Sequence, residues 1–176
     1  MDYKDIILKR ESCRSFDGRP AEKEKILRCV DAARLAPSAC NGQPWHFVIA
    51  LSEEAVKTVR EAVQGQGMNR FCDKCNSFVV VVEESTVLTS RIGTMITRTD
   101  FKPIDIGLAV SQFVCAATEQ GLSTCILGWL NEKKIKEAFA VKKSHRVRLV
   151  IAVGYAATDA VRTKRRKTIE EICTIR

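Results

Sequence analysis

The chain has 176 residues, 45% of them hydrophobic, and a formal net charge of +8. That length supports one domain with a hydrophobic core, and no apolar run approaches the length of a membrane-spanning helix. The opening residues Met1 to Asp5 begin a charged helical pattern and lack the apolar stretch of a secretory signal, so the expected location is cytoplasmic.

Residues 2–10 read as a helix, with Ile6, Ile7 and Leu8 on its apolar side. Arg10, Ser12 and Arg14 follow. Two arginines four apart with a serine between them resemble an anion cradle, since the guanidinium fork matches phosphate geometry. The same spacing is also common on a plain surface near a helix end. Gly18 and Pro20 mark a break. Residues 21–36 form a second helical pattern, with Ile26, Leu27, Val30, Ala33 and Leu35 near helical spacing.

Pro37 ends that helix and opens the stretch Pro37-Ser38-Ala39-Cys40-Asn41-Gly42-Gln43-Pro44. The two prolines fix φ and restrict the residues before them. Ser38, Asn41 and Gln43 place donors and acceptors on a stiff loop between a helix and a strand. Such a loop suits a ligand site, and equally makes a sound helix-to-strand turn. A strand follows over Phe47 to Leu51, then a helix to about residue 64, capped by Ser52, with Val56, Val59 and Val63 on one face. Residues 65–76 read as loop. The run Phe78 to Val82 is the pattern of a buried strand.

Residues 85–102 lack a clear period and read as a mobile connection with a short helix around 88–96. Pro103 suits the first turn of the next helix, and Asp105 favours its positive end. Ile106, Ala109, Val110, Phe113, Val114 and Ala117 form its broad apolar face, and Gly121 is a good terminator. Small residues at 107, 109, 111, 116 and 117 would admit a close helix neighbour, in a core or a dimer. A strand over Thr124 to Leu127, a short helix capped by Asn131 and a last strand over Val147 to Val153 complete an α+β pattern with four strands.

The eight cysteines do not form a disulfide framework in a chain without a secretory signal. Cys29, Cys115 and Cys125 sit among apolar residues, as small core side chains do. Cys72-Asp73-Lys74-Cys75 is a lone C-x-x-C. It has no second pair to complete a metal site, and it precedes its strand, where a redox motif would follow one. The basic residues Arg162, Lys164, Arg165, Arg166 and Lys167 cluster near the C-terminus. Composition allows nucleic acid, a phosphate-bearing cofactor or plain solvent as their partner.

Four segments coincide in order: Arg10-x-Ser12-x-Arg14-Ser15-Phe16, Pro37-Ser38-x-x-Asn41-x-Gln43-Pro44-Trp45, Gly121-Leu122-Ser123-Thr124-Cys125 through Gly128, and Lys164-x-Arg166. Together they resemble the nitroreductase family of flavin enzymes over residues 3–172, with this chain a short member. The resemblance implies a nitroreductase-like three-layer α/β/α sandwich around a central mixed, mostly antiparallel sheet, in an obligate homodimer. It also implies one domain over residues 1–176, with the basic segment 155–176 reaching the partner subunit.

The resemblance further implies FMN at the subunit interface and NADH or NADPH as co-substrate. Arg10, Lys164 and Arg166 match the family's phosphate contacts, and Ser12 would donate to phosphate or ribityl oxygens. Arg14 matches a position that reaches the ribityl chain or the N1–O2 edge, where negative charge develops on reduction. Asn41 offers the donor and acceptor that a pyrimidine edge requires. Pro37, Ser38 and Ala39 match residues delivered from the partner subunit against the ring. The backbone N–H groups of Leu127 and Gly128 match donors to flavin N5 and O4, and Asn69 is a further candidate for the pyrimidine.

Gln43 is expected to brace the loop, and Trp45 and Phe47 to lie in the core. His46 and His145 read as structural. The implied chemistry is ping-pong hydride transfer from NAD(P)H to a small oxidant such as a nitroaromatic or quinone, with no protein nucleophile, general acid, metal, nucleic acid or membrane involved. The alternative is a flavin-binding or flavin-processing protein of the same fold without general reductase activity. A third reading, from residues 162–167, is a basic nucleic-acid-binding module; it lacks interleaved aromatic residues. Larger relatives carry an aromatic lid over the flavin, for which Phe71 or Phe101 would have to stand in. Leu127 stands where some relatives have an acidic residue.

Overall fold

The computed structural model describes residues 1–84 and 99–176. The expected short helix over 88–96 falls outside the described residues; of the expected connection over 85–102 only 99–102 are described, and Lys102 already opens a helix.

The strand β2 (Phe78–Glu83) is buried at every position, as its β-branched run requires. Successive side chains of a strand point to opposite faces. Phe78, Val80 and Val82 enter one core cluster, Val79 and Val81 the other. The first cluster is closed by α3 (Glu53–Val63) and α5 (Glu132–Ala138), through Val56, Val59, Val63 and Ile135. The second is closed by α2 (Lys23–Arg34) and α4 (Lys102–Glu119), through Ile26, Cys29, Ala33, Ala109 and Phe113. Helices thus cover both faces of one sheet, giving the three-layer α/β/α arrangement.

The sheet order is β1-β2-β4-β3, with β1 (Trp45–Ala50), β3 (Ser123–Leu127) and β4 (Arg146–Gly154). All three strand pairings are antiparallel. A parallel element comes from an isolated bridge between Ser12 and Thr124, where the Cys13 N–H donates to the Thr124 carbonyl at 2.8 Å. Phe47 stacks on Phe113 with centroids 6.1 Å apart, tying β1 to α4.

Local chemistry sets the helix ends. Ser52 and Asn131 accept from the backbone N–H three residues on. Pro103 occupies the first turn of α4. At the other end Gly121 takes φ +76°, its N–H donates to Thr118 and that of Leu122 to Ala117, satisfying the last carbonyls of the helix.

A register shift between Val81 and Val82 leaves Arg148 of β4 as the extra residue of a bulge. Its guanidinium reaches the Glu83 carboxylate, which also accepts from Lys102 Nζ at 3.0 Å. Burial opposes ionisation of Glu83, but Arg148 and Lys102 outweigh it and hold the carboxyl below its ordinary pKa of 4.5. A lowered folded pKa gives stability that is present above 4.5 and lost as pH falls through the folded value. Urea midpoints measured down the acid limb should therefore fall more steeply for wild type than for Glu83→Gln. Parallel acid limbs would contradict this.

Several sequence expectations shift. Leu27 and Leu35, near helical spacing in the 21–36 pattern, are 45% and 67% exposed. Their helical spacing is right, but Ile26, Cys29 and Ala33 take the face toward the sheet. Ile7 and Leu8 of α1 (Tyr3–Lys9) are also exposed, and α1 buries no residue within this chain. The first strand begins at Trp45 rather than Phe47.

Candidate functional site

The N-terminal segment after α1 runs extended along the edge of the sheet. Cys13 and Phe16 turn into the core, and Phe16 packs so closely on Gly154 that an added Cβ there would lie 3.2 Å from its ring. The segment after β4 returns alongside. Asp17 donates its N–H to the Tyr155 carbonyl at 3.0 Å and Ala157 to that of Ser15 at 2.9 Å. Further on, Arg162 donates to the Ser12 carbonyl at 2.6 Å and pairs with Glu11 at 3.2 Å. Lys164 Nζ donates to the Leu8 carbonyl.

Two chain ends more than 140 residues apart in sequence therefore make one cleft of about 310 Å³. Arg10, Ser12 and Arg14 line one side; Arg162, Lys164, Arg165 and Arg166 line the other. Glu11 is the one carboxylate among the lining residues, and Arg162 pairs with it. The lining charge is therefore strongly positive, which suits a phosphate dianion and its need for several charge-assisted donors. Five residues expected from the sequence, Arg10, Ser12, Arg14, Lys164 and Arg166, meet here. Arg162 and Arg165 join them; their signal was the basic cluster itself. Glu11 gave no signal.

Beyond the cleft, the Arg14 guanidinium lies over the Phe71 ring, 6.0 Å from its centroid. Phe71 belongs to the loop after α3. Asn69 pins that loop to the end of β3, donating through Nδ2 to the carbonyls of Val63 (2.9 Å) and Trp129 (3.5 Å). The Trp129 indole donates to Gly65 at 2.9 Å. The donors of Asn69 are thus spent within the chain, leaving its Oδ1 as an acceptor. Leu127 is buried at the end of β3, and Gly128 is exposed beside it.

The loop from Pro37 to Pro44 lies against the first turn of α4. Cys40, Asn41 and Gln43 all have positive φ, between 42° and 52°. Gln43 braces the loop twice: its N–H donates to Ser38 Oγ at 3.0 Å and its side-chain Nε2 to Asn41 Oδ1 at 3.0 Å. The Ala39 N–H donates to both carboxylate oxygens of Asp105, each at 3.2 Å. Pro37, Ser38, Ala39 and Asn41 are therefore grouped, but not with the basic cleft. The cleft adjoins Thr124, just past the C-terminal end of α4, whereas the loop sits at its N-terminal end. From Asp105, which the loop touches, the helix runs on to Glu119, a rise of about 21 Å at 1.5 Å per residue.

The four thiols Cys13, Cys72, Cys75 and Cys125 are buried in the same core cluster. Burial pushes the Cys75 thiol up to about 12 and raises Cys13, Cys72 and Cys125 as well. The C-x-x-C pair is therefore a protonated core element. Among the described residues, no group of three or more His, Cys, Asp or Glu is placed to hold a metal. In native protein, Ellman's reagent should leave Cys13, Cys29, Cys72, Cys75 and Cys125 unmodified until denaturant is added. Rapid native labelling of Cys72 or Cys75, read by mass spectrometry, would contradict this.

A sequence model of the nitroreductase family matches residues 7–155. The oxygen-insensitive NADPH nitroreductase of Helicobacter pylori is 22% identical, over 95% of this chain and 93% of its own. A nitroreductase family protein from Clostridium novyi NT superposes with a TM-score of 0.76 at 25% identity, over 89% of this chain and 86% of its own. A protein of Exiguobacterium sibiricum solved in complex with FMN gives a TM-score of 0.82 at 22% identity, over 100% and 98%. The chain belongs to the nitroreductase family.

Proposed function

We propose that the chain is an FMN-dependent oxidoreductase that works as a homodimer. The observation that carries this reading is the cleft in which Arg10, Ser12, Arg14, Lys164 and Arg166 converge with excess positive charge. Bound FMN would take a hydride from NADH or NADPH at N5 and pass the electrons in a second step to a small oxidant such as a nitroaromatic or quinone. The protein's part is binding, orientation and electrostatics.

Arg10, Lys164 and Arg166 hold the phosphate, with Ser12 donating to it or to the ribityl chain. Arg14 stabilises negative charge at the N1–O2 edge, in a site where Phe71 already flanks its guanidinium. The N–H groups of Leu127 and Gly128 serve N5 and O4. Asn41, with Pro37, Ser38 and Ala39, completes the ring site from the partner. The Ala39 N–H is committed to Asp105 and its carbonyl accepts from the Gly42 N–H at 2.9 Å, so Ala39 meets a ring through its methyl. Asn69 offers its carbonyl oxygen to the pyrimidine.

The homodimer rests on two observations. The loop and the cleft lie at opposite ends of α4, so within one chain the two are not joined in a single pocket. A second copy running the other way brings the partner's loop to the cleft. An apolar surface is available for that pairing: Tyr3, Ile7 and Leu8 of α1 and Ile104 and Leu108 of α4 are all exposed, and Gly107 between them has open space around it. The terminal helix α6 (Ile169–Ile172) fits the same picture. Ile169, Ile172 and Ile175 are 73%, 70% and 94% exposed, which suits a segment that docks on a partner subunit.

Stopped-flow mixing of the FMN-loaded protein with NADH and with NADPH tests the activity. Bleaching of the flavin absorbance followed by recovery with a quinone supports the reductase. Bound flavin that resists both nucleotides favours the flavin-binding alternative.

A further inference from the structure

Asp105 stands apart from the other acidic residues. It is 4% exposed, and among the described residues it has no ion pair. A buried carboxylate without a cation is costly. Its place in the first turn of α4 offsets part of that cost through the helix dipole. What it holds is the Ala39 N–H, 66 positions away, with both oxygens. Ala39 opens the turn in which Cys40 and Asn41 both take φ 52° and Gln43 takes φ 42°. Left-handed backbone is unfavourable for non-glycine residues, most of all for Cys40 and Gln43 here. Strain of this kind persists where surrounding bonds over-determine it. The braces from Ser38 and Gln43 are internal to the loop. The Asp105 contact ties it to the scaffold.

We propose that Asp105 is a positioning residue for the reaction: through the Ala39 N–H it sets where Ser38 and Asn41 stand, and so how the ring is held for transfer. This rests on the reading above that the loop faces the flavin of the partner subunit. The charge strengthens the bond, because a hydrogen bond to a carboxylate is about twice as strong as a neutral one. Asparagine at 105 would keep one acceptor; alanine would keep none.

The test uses the FMN-loaded dimer with NADPH as reductant and menadione as oxidant. Wild type is measured first for FMN uptake; if it takes up none, both this proposal and the function it rests on are overturned. Given FMN uptake, Asp105→Ala should lower kcat about 10- to 100-fold, as small misplacements at a reacting centre do. The FMN Kd should move far less, since the phosphate cleft is untouched. Asp105→Asn should recover most of the rate.

Ala39→Pro removes the same N–H from the other side of the bond. The double variant Asp105→Asn, Ala39→Pro should be no slower than Ala39→Pro alone. This pair serves where Asp105→Ala does not fold. The proposal is overturned, with the flavin reading intact, if kcat is unchanged in Asp105→Ala. It is overturned equally if the losses of the Asn and Pro variants multiply, or if Asn is as slow as Ala.

Discussion

The double variant Arg10→Gln, Arg166→Gln should bind FMN two to four orders of magnitude more weakly than wild type. Arg10 and Arg166 reach the cleft from opposite ends of the chain. Each charged hydrogen bond to the phosphate is worth about 1.5–3 kcal/mol, and the pair about twice that. Neither side chain is in the core, so the fold should survive, and thermal unfolding of the apoprotein serves as the control. The salt dependence should weaken together with the affinity, because the lost term is electrostatic. Fluorescence titration of FMN at low and high salt reads both effects. A Kd within threefold of wild type would show that the cleft does not hold the phosphate.

Placing an arginine at Leu108 should split the dimer and remove the flavin with it. Leu108 is 42% exposed on α4, so the substitution costs the lone chain little. In the proposed interface the arginine would be an unpaired charge under apolar cover, which costs about 3–5 kcal/mol. That weakens association by two orders of magnitude or more. FMN affinity should fall in step, because the Pro37–Asn41 loop would no longer reach the cleft. Light scattering gives the mass, and absorbance of the eluted peak gives the flavin. A Leu108→Arg protein that remains a yellow dimer would place the interface elsewhere.

Features governed by neighbours in sequence were legible before the structure. The caps at Ser52 and Asn131, the stop at Gly121 and the buried run of β2 depend on contacts within a few residues. The cleft was legible in a different way. Arg10, Ser12 and Arg14 share a spacing, and Lys164 and Arg166 share a basic cluster, but their meeting depends on backbone pairing between residues 15–17 and 155–157. Spacing shows nothing of that.

Other features lie wholly in tertiary structure. Leu27 and Leu35 have helical spacing, yet the side of α2 that meets the sheet is chosen by packing on α4. Asp105 read as a favourable charge at a helix start, and its partner Ala39 lies in another part of the sequence. The bulge that turns Arg148 onto Glu83 leaves no trace in composition. Cys72 and Cys75 carry the spacing of a redox motif, and burial makes them core. In each case a short-range pattern was sound and a long-range contact decided its use.

In the proposed assembly two copies of the chain close a cationic cleft and a braced loop around FMN. Size-exclusion chromatography with light scattering and absorbance detection tests it in one run on protein saturated with FMN. A single yellow peak at twice the mass of the chain, with FMN equimolar with the chain, is expected. A colourless, well-folded monomer that takes up no FMN would contradict it.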